Sequence, residues 1–368
     1  MMDLDRARRY MRDAGIDAIV ATSPENVHYT SSSYIYTVLL IRDRMAFTVT
    51  PADGEQSYIV AGNEKNQAAQ YTSIGDIRTY VEFQDYPMDA LIDTLRAKGL
   101  EDKRIGLERT HLPSRHEEYL AEKLPRAEFV DAKGILDRLR MIKTADEIAR
   151  LETAATATRK ALESAFAAAR AGDTEKQVAN HIAENILEMG ADFIPFLSVK
   201  TGKRFFTGHH MPGPTKLEAG NLIWCDYGAL WNGYFSDLAR TYAIGAPTPA
   251  QAENYHNLSE VYREVINNVR VGTPVSRLYE VCREGFEQHG VTLQMAHIGH
   301  SIGVELHEFP MISPTDTYEI QENMVLNIEP GYTKDGETIH IEDLILATSN
   351  GPRVLTGALA PEEIPVID

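Results

Sequence analysis

Short apolar runs recur through the first third of the chain, at residues 17–21, 45–49, 58–60, 105–107 and 129–130. Their length and their polar, turn-forming borders predict strands. The intervening segments 88–98 and 115–123 carry apolar residues at helical spacing. Strands alternating with helices predict an α/β layer domain over residues 1–140. It contains neither GxGxxG nor a phosphate-binding lysine loop, so no nucleotide site is expected there.

The pattern changes near Lys143. Thr144 is followed three residues later by Glu147, the spacing at which side chain and backbone cap each other at a helix start. Ile148, Leu151, Ala155, Leu162 and Phe166 then form a helical stripe that ends at Gly172. A second box, Thr174 with Gln177, opens a helix through Val178, Ile182 and Ile186, ending at Gly190. Later helices are expected over about 251–270 and 275–289, with strands at 222–227, 238–244, 324–328 and 338–347. Residues 141–368 therefore read as an α+β domain, and 368 residues suit two domains.

Composition narrows the partners. The chain is 43% hydrophobic and 24% charged, enough to build a large core. Its net charge of −18 argues against nucleic acid, because phosphate backbones are bound by clustered Lys and Arg. It suits anionic membrane surfaces equally poorly. Cys225 and Cys282 are too few for a disulfide framework, and no apolar leader precedes Asp5, so a cytoplasmic protein is expected.

Acidic residues inside apolar runs carry the chemistry. Asp226 follows Leu222-Ile223-Trp224-Cys225, Glu329 follows Met324-Val325-Leu326-Asn327-Ile328, and Glu342 lies within a run from Ile339 to Leu346. An unpaired buried carboxylate is expensive. Mutual protonation, basic partners or metal ions could each explain three of them, but nearby cations are few and Arg240 cannot serve all. Metal ions answer better. Asp237 sits across a turn at Trp231-Asn232-Gly233, so a hairpin would bring it to Asp226, and His300 supplies a nitrogen. Four carboxylates and one imidazole suit Mn²⁺, Fe²⁺ or Co²⁺, with Zn²⁺ possible.

These residues resemble a known family. Asp226-Tyr227-Gly228 with the run from Gly233 to Thr241 is similar to D-x-G…G-Y-x-S-D-x-x-R-T of the creatinase, prolidase and methionine aminopeptidase family, the M24 metallopeptidases. GHSIGVELHEFP from Gly299 to Pro310 resembles G-H-G-x-G-x-x-x-H-E-x-P, and Glu329 and Glu342 stand in I-E-P-G and I-E-D steps. The resemblance covers essentially the whole chain. It implies a creatinase/prolidase-type α/β domain over 1–140 and a pita-bread catalytic domain over 141–368, two pseudo-symmetric halves around a dinuclear centre. By resemblance, Asp237 and Glu342 would bridge two divalent ions, Mn²⁺ favoured. Asp226 would hold one ion, and His300 and Glu329 the other. Glu329 would also move the proton of the attacking water, and His209 and His307 would contact the scissile carbonyl or the tetrahedral intermediate. A homodimer is implied as well, with the apolar stretch from Tyr34 to Leu40 as a candidate contact.

Departures from the pattern bear on substrate. Met311 and His340 stand where peptidase members tend to carry Arg, and Ser301 replaces a Gly. Losing two arginines removes permanent positive charge from a pocket for a free C-terminus. Lys200, Lys203 and Arg204 are candidate replacements. His210, His340, Met311, Arg204 and Tyr234 are further candidate substrate contacts, with Trp231 and Phe205 as possible pocket walls. Arg240 is expected to pair with the carboxylate cluster, and Cys225 to pack in the core. The expected activity is metal-dependent hydrolysis of the Xaa-Pro bond of a short peptide. A small non-peptide amide is the alternative, as in ectoine hydrolases and creatinase. Creatinase works without metal, which the intact ligand set here disfavours. Elimination of the DMSP lyase kind and a non-catalytic binding module stand further off.

Overall fold

The computed structural model describes residues 2–202, 209–334 and 336–368. The chain forms two compact units, 1–140 and 141–368.

In the first unit, a mixed sheet of six strands runs in the order Asp76–Tyr80, Ser57–Ala61, Phe47–Pro51, Ala18–Ala21, Arg104–Leu107, Glu128–Asp131. The central strands bury every residue, which is why they appear in sequence as unbroken apolar runs. Asp76–Tyr80 escaped the sequence reading because it is an edge strand, half-buried for most of its length. Pro87–Ala97 and Ser114–Lys123 form the two expected helices.

The second unit repeats one theme. Helix Ala145–Ala168 opens with the Thr144/Glu147 box and Glu175–Glu188 with the Thr174/Gln177 box. Pro249–Asn267 opens with a third, Thr248/Gln251, followed by Val275–Gln288. Each pair of helices is joined by a tight turn on a left-handed glycine, Gly172 (φ 99°) or Gly272 (φ 87°). The turns are tied alike, by Gly172 N–H to the Leu217 carbonyl and Gly272 N–H to the Ile320 carbonyl, both at 2.8 Å. This local equivalence, a hundred residues apart, marks the two halves of a pita-bread fold although no sequence repeat is visible.

Each half supplies a sheet. Val366–Ile367, Leu238–Ile244, Leu222–Trp231 and Phe193–Thr201 lie side by side, with Tyr234–Phe235 returning on Trp231. The other sheet is ordered Glu308–Met311, Gly299–Ser301, Val325–Ile328, Asp343–Thr348, Gly351–Val354. The expected strand 338–347 is broken in two, Glu337–His340 and Asp343–Thr348, and Glu342 sits in the break. There its N–H reaches across to the Ala239 carbonyl at 3.1 Å, joining the two sheets. Among the described residues, no helix is long and apolar enough to cross a membrane.

The hairpin of Asp226 and Asp237 needs a close approach at Gly228. A Cβ there would lie 2.0 Å from the Ser236 carbonyl oxygen. Gly228→Ala is therefore expected to destabilise the protein by about 1–3 kcal/mol. Thermal denaturation reads this as a lowered midpoint, and an unchanged midpoint would contradict the packing described.

Candidate active site

Strand register builds the site. Asp226 pairs with Ser198 on one side and Ala239 on the other, so Ser198, Lys200, Trp224 and Asp226 point to one face. Asp237 immediately precedes the strand Leu238–Ile244. Its neighbour Ser236 is pinned by Thr158 Oγ1 at 2.6 Å and by the Ala229 N–H at 2.9 Å, fixing the entry of Asp237. On the second sheet His300 pairs with Asn327, and the Glu329 N–H donates to the Ile298 carbonyl at 2.9 Å.

These elements bring all five expected ligands to one point. Candidate donor atoms of Asp226, Asp237 and Glu342 lie within 4.8 Å of one another, as do those of His300, Glu329 and Glu342 and those of Asp237, His300 and His307. Asp226 is 6% exposed, Asp237 4%, Glu342 1% and His300 0%, so water cannot screen them. Asp237 Oδ1, Glu329 Oε1, Glu342 Oε2 and His300 Nε2 are buried with no hydrogen-bond partner among the described residues. Orphaned buried polar atoms are rare and call for an explanation. Four converging on one volume, mostly carboxylate oxygens, fit divalent cations.

Electrostatics agree. Burial, and then the neighbouring carboxylates, push Asp237 and Glu342 well above the ordinary carboxyl range. Burial also lowers His300. Its Nδ1 donates to the Ser301 carbonyl at 2.9 Å, which leaves the Nε2 lone pair facing the carboxylates. Burial works to raise Glu329, but the facing histidines, His297 first, outweigh it and hold the carboxyl below its usual range. Around the cluster, Asn327 donates from its side-chain amide to Glu342 Oε1. Arg240, 2% exposed, donates to the backbone carbonyls of Ala239 and Glu342 at 2.9 and 2.5 Å and to Asp343 at 2.7 Å. Its carboxylate partner is thus Asp343, and it braces Glu342 through the main chain.

A cavity of about 700 Å³ opens over the cluster. His209 lines it with Nε2 2.9 Å from Asp226 Oδ2, a hydrogen bond that raises the imidazole's pKa. His307 also lines it, stacked on His300 at 3.9 Å between ring centroids. Burial, with help from His300, pulls His307 down to about 4. His340 lines the wall, where Trp224 Nε1–H donates to its Nδ1 at 3.2 Å. The indole can only donate, so the His340 proton sits on Nε2, which donates to the Glu329 carbonyl at 3.1 Å.

The remaining candidates fall elsewhere. His210 is not among the described residues lining this cavity. Met311 lines a separate shallow depression with Phe309 and Asp316. Tyr234 is buried at 3% exposure, its hydroxyl donating to Glu147 at 3.3 Å, and so belongs to the core. Trp231 likewise packs against a core cluster. Cys225 is fully buried, as its place in an apolar strand suggested. Arg204, Lys203 and Phe205 lie outside the described residues. His297 was missed in sequence, although its Nδ1 comes within 3.3 Å of Glu329 Oε1. It lies in no apolar run, and only its place three residues before His300 could have drawn notice.

Residues 149–349 match the model of metallopeptidase family M24, and residues 4–142 match the creatinase/prolidase N-terminal domain. The chain belongs to metallopeptidase family M24. It is 27% identical over 366 residues to an Xaa-Pro dipeptidase of Lactobacillus helveticus, covering 96% of each chain. It is 28% identical over 357 residues to an Xaa-Pro dipeptidase of Pyrococcus furiosus, covering 96% of this chain and 97% of that one. Among solved structures, an Xaa-Pro dipeptidase from Bacillus anthracis superimposes with a TM-score of 0.87 at 25% identity, covering 99% of this chain and 98% of that one. Membership makes this chain a metal-dependent hydrolase that takes divalent ions.

Burial raises the proton affinity of Asp237 and Glu342, so cations compete with protons for their oxygens. Metal uptake by chelator-treated protein is therefore expected to release protons and to weaken as pH falls. The sign for stability follows from the raised pKa values. The metal-free fold is favoured below the ordinary carboxyl range and loses that contribution as pH rises through the raised values. Calorimetric metal titration in buffers of different ionisation enthalpy checks the first point, and heat independent of buffer would contradict it.

Proposed function

We propose that this M24 enzyme is a two-metal peptidase that hydrolyses the bond preceding proline in short peptides. The observation that carries the proposal is the set of four orphaned donor atoms on Asp237, His300, Glu329 and Glu342 beneath a small-molecule cavity. The Xaa-Pro dipeptidase relatives support the substrate class. Asp237 and Glu342 would hold both ions, Asp226 the first, and His300 with Glu329 the second. Mn²⁺ is the proposed ion, from the carboxylate-rich donor set. When bound, the ions supply Lewis acidity at the scissile carbonyl and a nucleophilic water at neutral pH.

The chain's own side chains do the rest. Glu329, kept ionised by its histidines, takes the water's proton and returns it to the departing proline nitrogen. His307 is neutral at pH 7 and donates its N–H to the developing oxyanion. His209 keeps a proton on Nε2 against Asp226 and orients the substrate from the opposite wall. Two buried free thiols support a cytoplasmic setting. Tyr36 and Leu40, 56% and 64% exposed on a short apolar helix, support a homodimer.

Mn²⁺-loaded protein is expected to cleave an Xaa-Pro dipeptide or tripeptide in a chelator-sensitive way. Failure on both, with metals bound, would overturn the peptidase. It would favour a small non-peptide amide, the reading that His340 in place of arginine on the cavity wall supports. His307→Ala is expected to retain both metals while kcat falls ~10²-fold, and an unaffected rate would remove His307 from the chemistry.

A further inference from the structure

The proposed substrate brings a free carboxylate into a site already crowded with carboxylates. Two divalent ions would just balance Asp226, Asp237, Glu329 and Glu342. A dipeptide's C-terminus therefore needs a cation of its own. Among the described residues lining the cavity, Lys200 is the only lysine or arginine.

Its placement is specific. Lys200 lies directly across from Trp224 in the sheet and is only 5% exposed. Its ammonium stands 4.0 Å from the centre of the Trp224 ring, a geometry that holds a cation against an aromatic face. Trp224 is in turn fixed by its hydrogen bond to His340 and stacks near it, 6.0 Å between centroids. Lys200 and Trp224 so form a row on paired strands, with His340 against the indole. This row is two residues along the strand from Asp226, roughly 6.6 Å. A substrate whose scissile carbonyl sits at the carboxylate cluster extends one residue further, about 3.8 Å. A charge-assisted hydrogen bond adds about 2.8 Å beyond that. The terminal carboxylate of a dipeptide bound at the cluster is long enough to reach this row.

We infer that Lys200, held on Trp224, receives the free C-terminal carboxylate of the substrate and so supplies the cation that His340 does not. This rests on the peptidase reading above. Lys200 also feels Asp226 and Glu175, and burial lowers its pKa. A carboxylate arriving on Trp224 would reinforce the charged form.

The decisive comparison sets a dipeptide such as Ala-Pro against its C-terminal amide, in wild type, Lys200→Met and Lys200→Arg. The inference expects Lys200→Met to lower kcat/KM for the acid by about 10- to 100-fold, with the amide little changed and Lys200→Arg largely restoring the acid. A purely structural lysine would lower both substrates together, and that result would overturn it. Binding of N-acetylproline and N-acetylprolinamide to the metal-loaded protein, measured by calorimetry, separates the two claims. If no Xaa-Pro peptide is cleaved, the peptidase fails. Lys200 is then still judged by whether the acid binds more tightly than the amide and loses that advantage in Lys200→Met. Equal binding of acid and amide by wild type would refute the inference.

Discussion

Four carboxylates crowd into one buried volume, and without cations they repel one another. Much of the second unit can be understood as structure that holds them there despite that repulsion. Arg240 and Asp343, 2% and 0% exposed, lock the main chain at Glu342. Tyr262 and Thr356 both hydrogen-bond Asp343, so the brace is itself braced. Lys143 and Glu308 form a second buried pair at 2.6 Å, beside His307. Breaking either pair would strand a charge in the core, at about 3–5 kcal/mol. Such pairs contribute less to net stability than to holding one geometry.

The fold supplies the convergence by placing its irregularities where the ligands are. Asp237 leads into a strand, Glu342 sits in a strand break, and Glu329 follows directly on the strand Val325–Ile328. Gly299 lets its strand approach the Asn327 carbonyl, since a Cβ there would lie 2.1 Å from that oxygen. A regular strand delivers Asp226, His300 stands at a register shift against the strand Glu308–Met311, and strand ends or a break deliver the rest. The cavity above inherits histidines from loops on both halves, His209 from one and His307 from the other.

Much of this was legible in the amino-acid sequence, for physical reasons. A carboxylate inside an apolar strand is costly enough to need a purpose, so Asp226, Glu329 and Glu342 stood out. Capping boxes at Thr144 and Thr174 are local in sequence, and both helices start there. What could not be read depends on distant partners. Asn327 sits among apolar residues like any strand asparagine, and only the fold turns its amide to Glu342. Tyr234 lies beside Asp237 in sequence, yet strand alternation turns it into the core. Met311 pairs with His300 in register but lines another depression. The break at Glu342 leaves no mark in the sequence, because Ile339, Ile341 and Leu344 are buried on either side of it.

The central claim is that the carboxylate cluster is a dinuclear metal centre. Anomalous diffraction from crystals of the Mn²⁺-loaded protein tests it most directly. The account predicts two peaks ~3.5–4 Å apart, with Asp237 and Glu342 touching both, Asp226 one, and His300 and Glu329 the other. A single peak, or none at full Mn²⁺ loading, would contradict it.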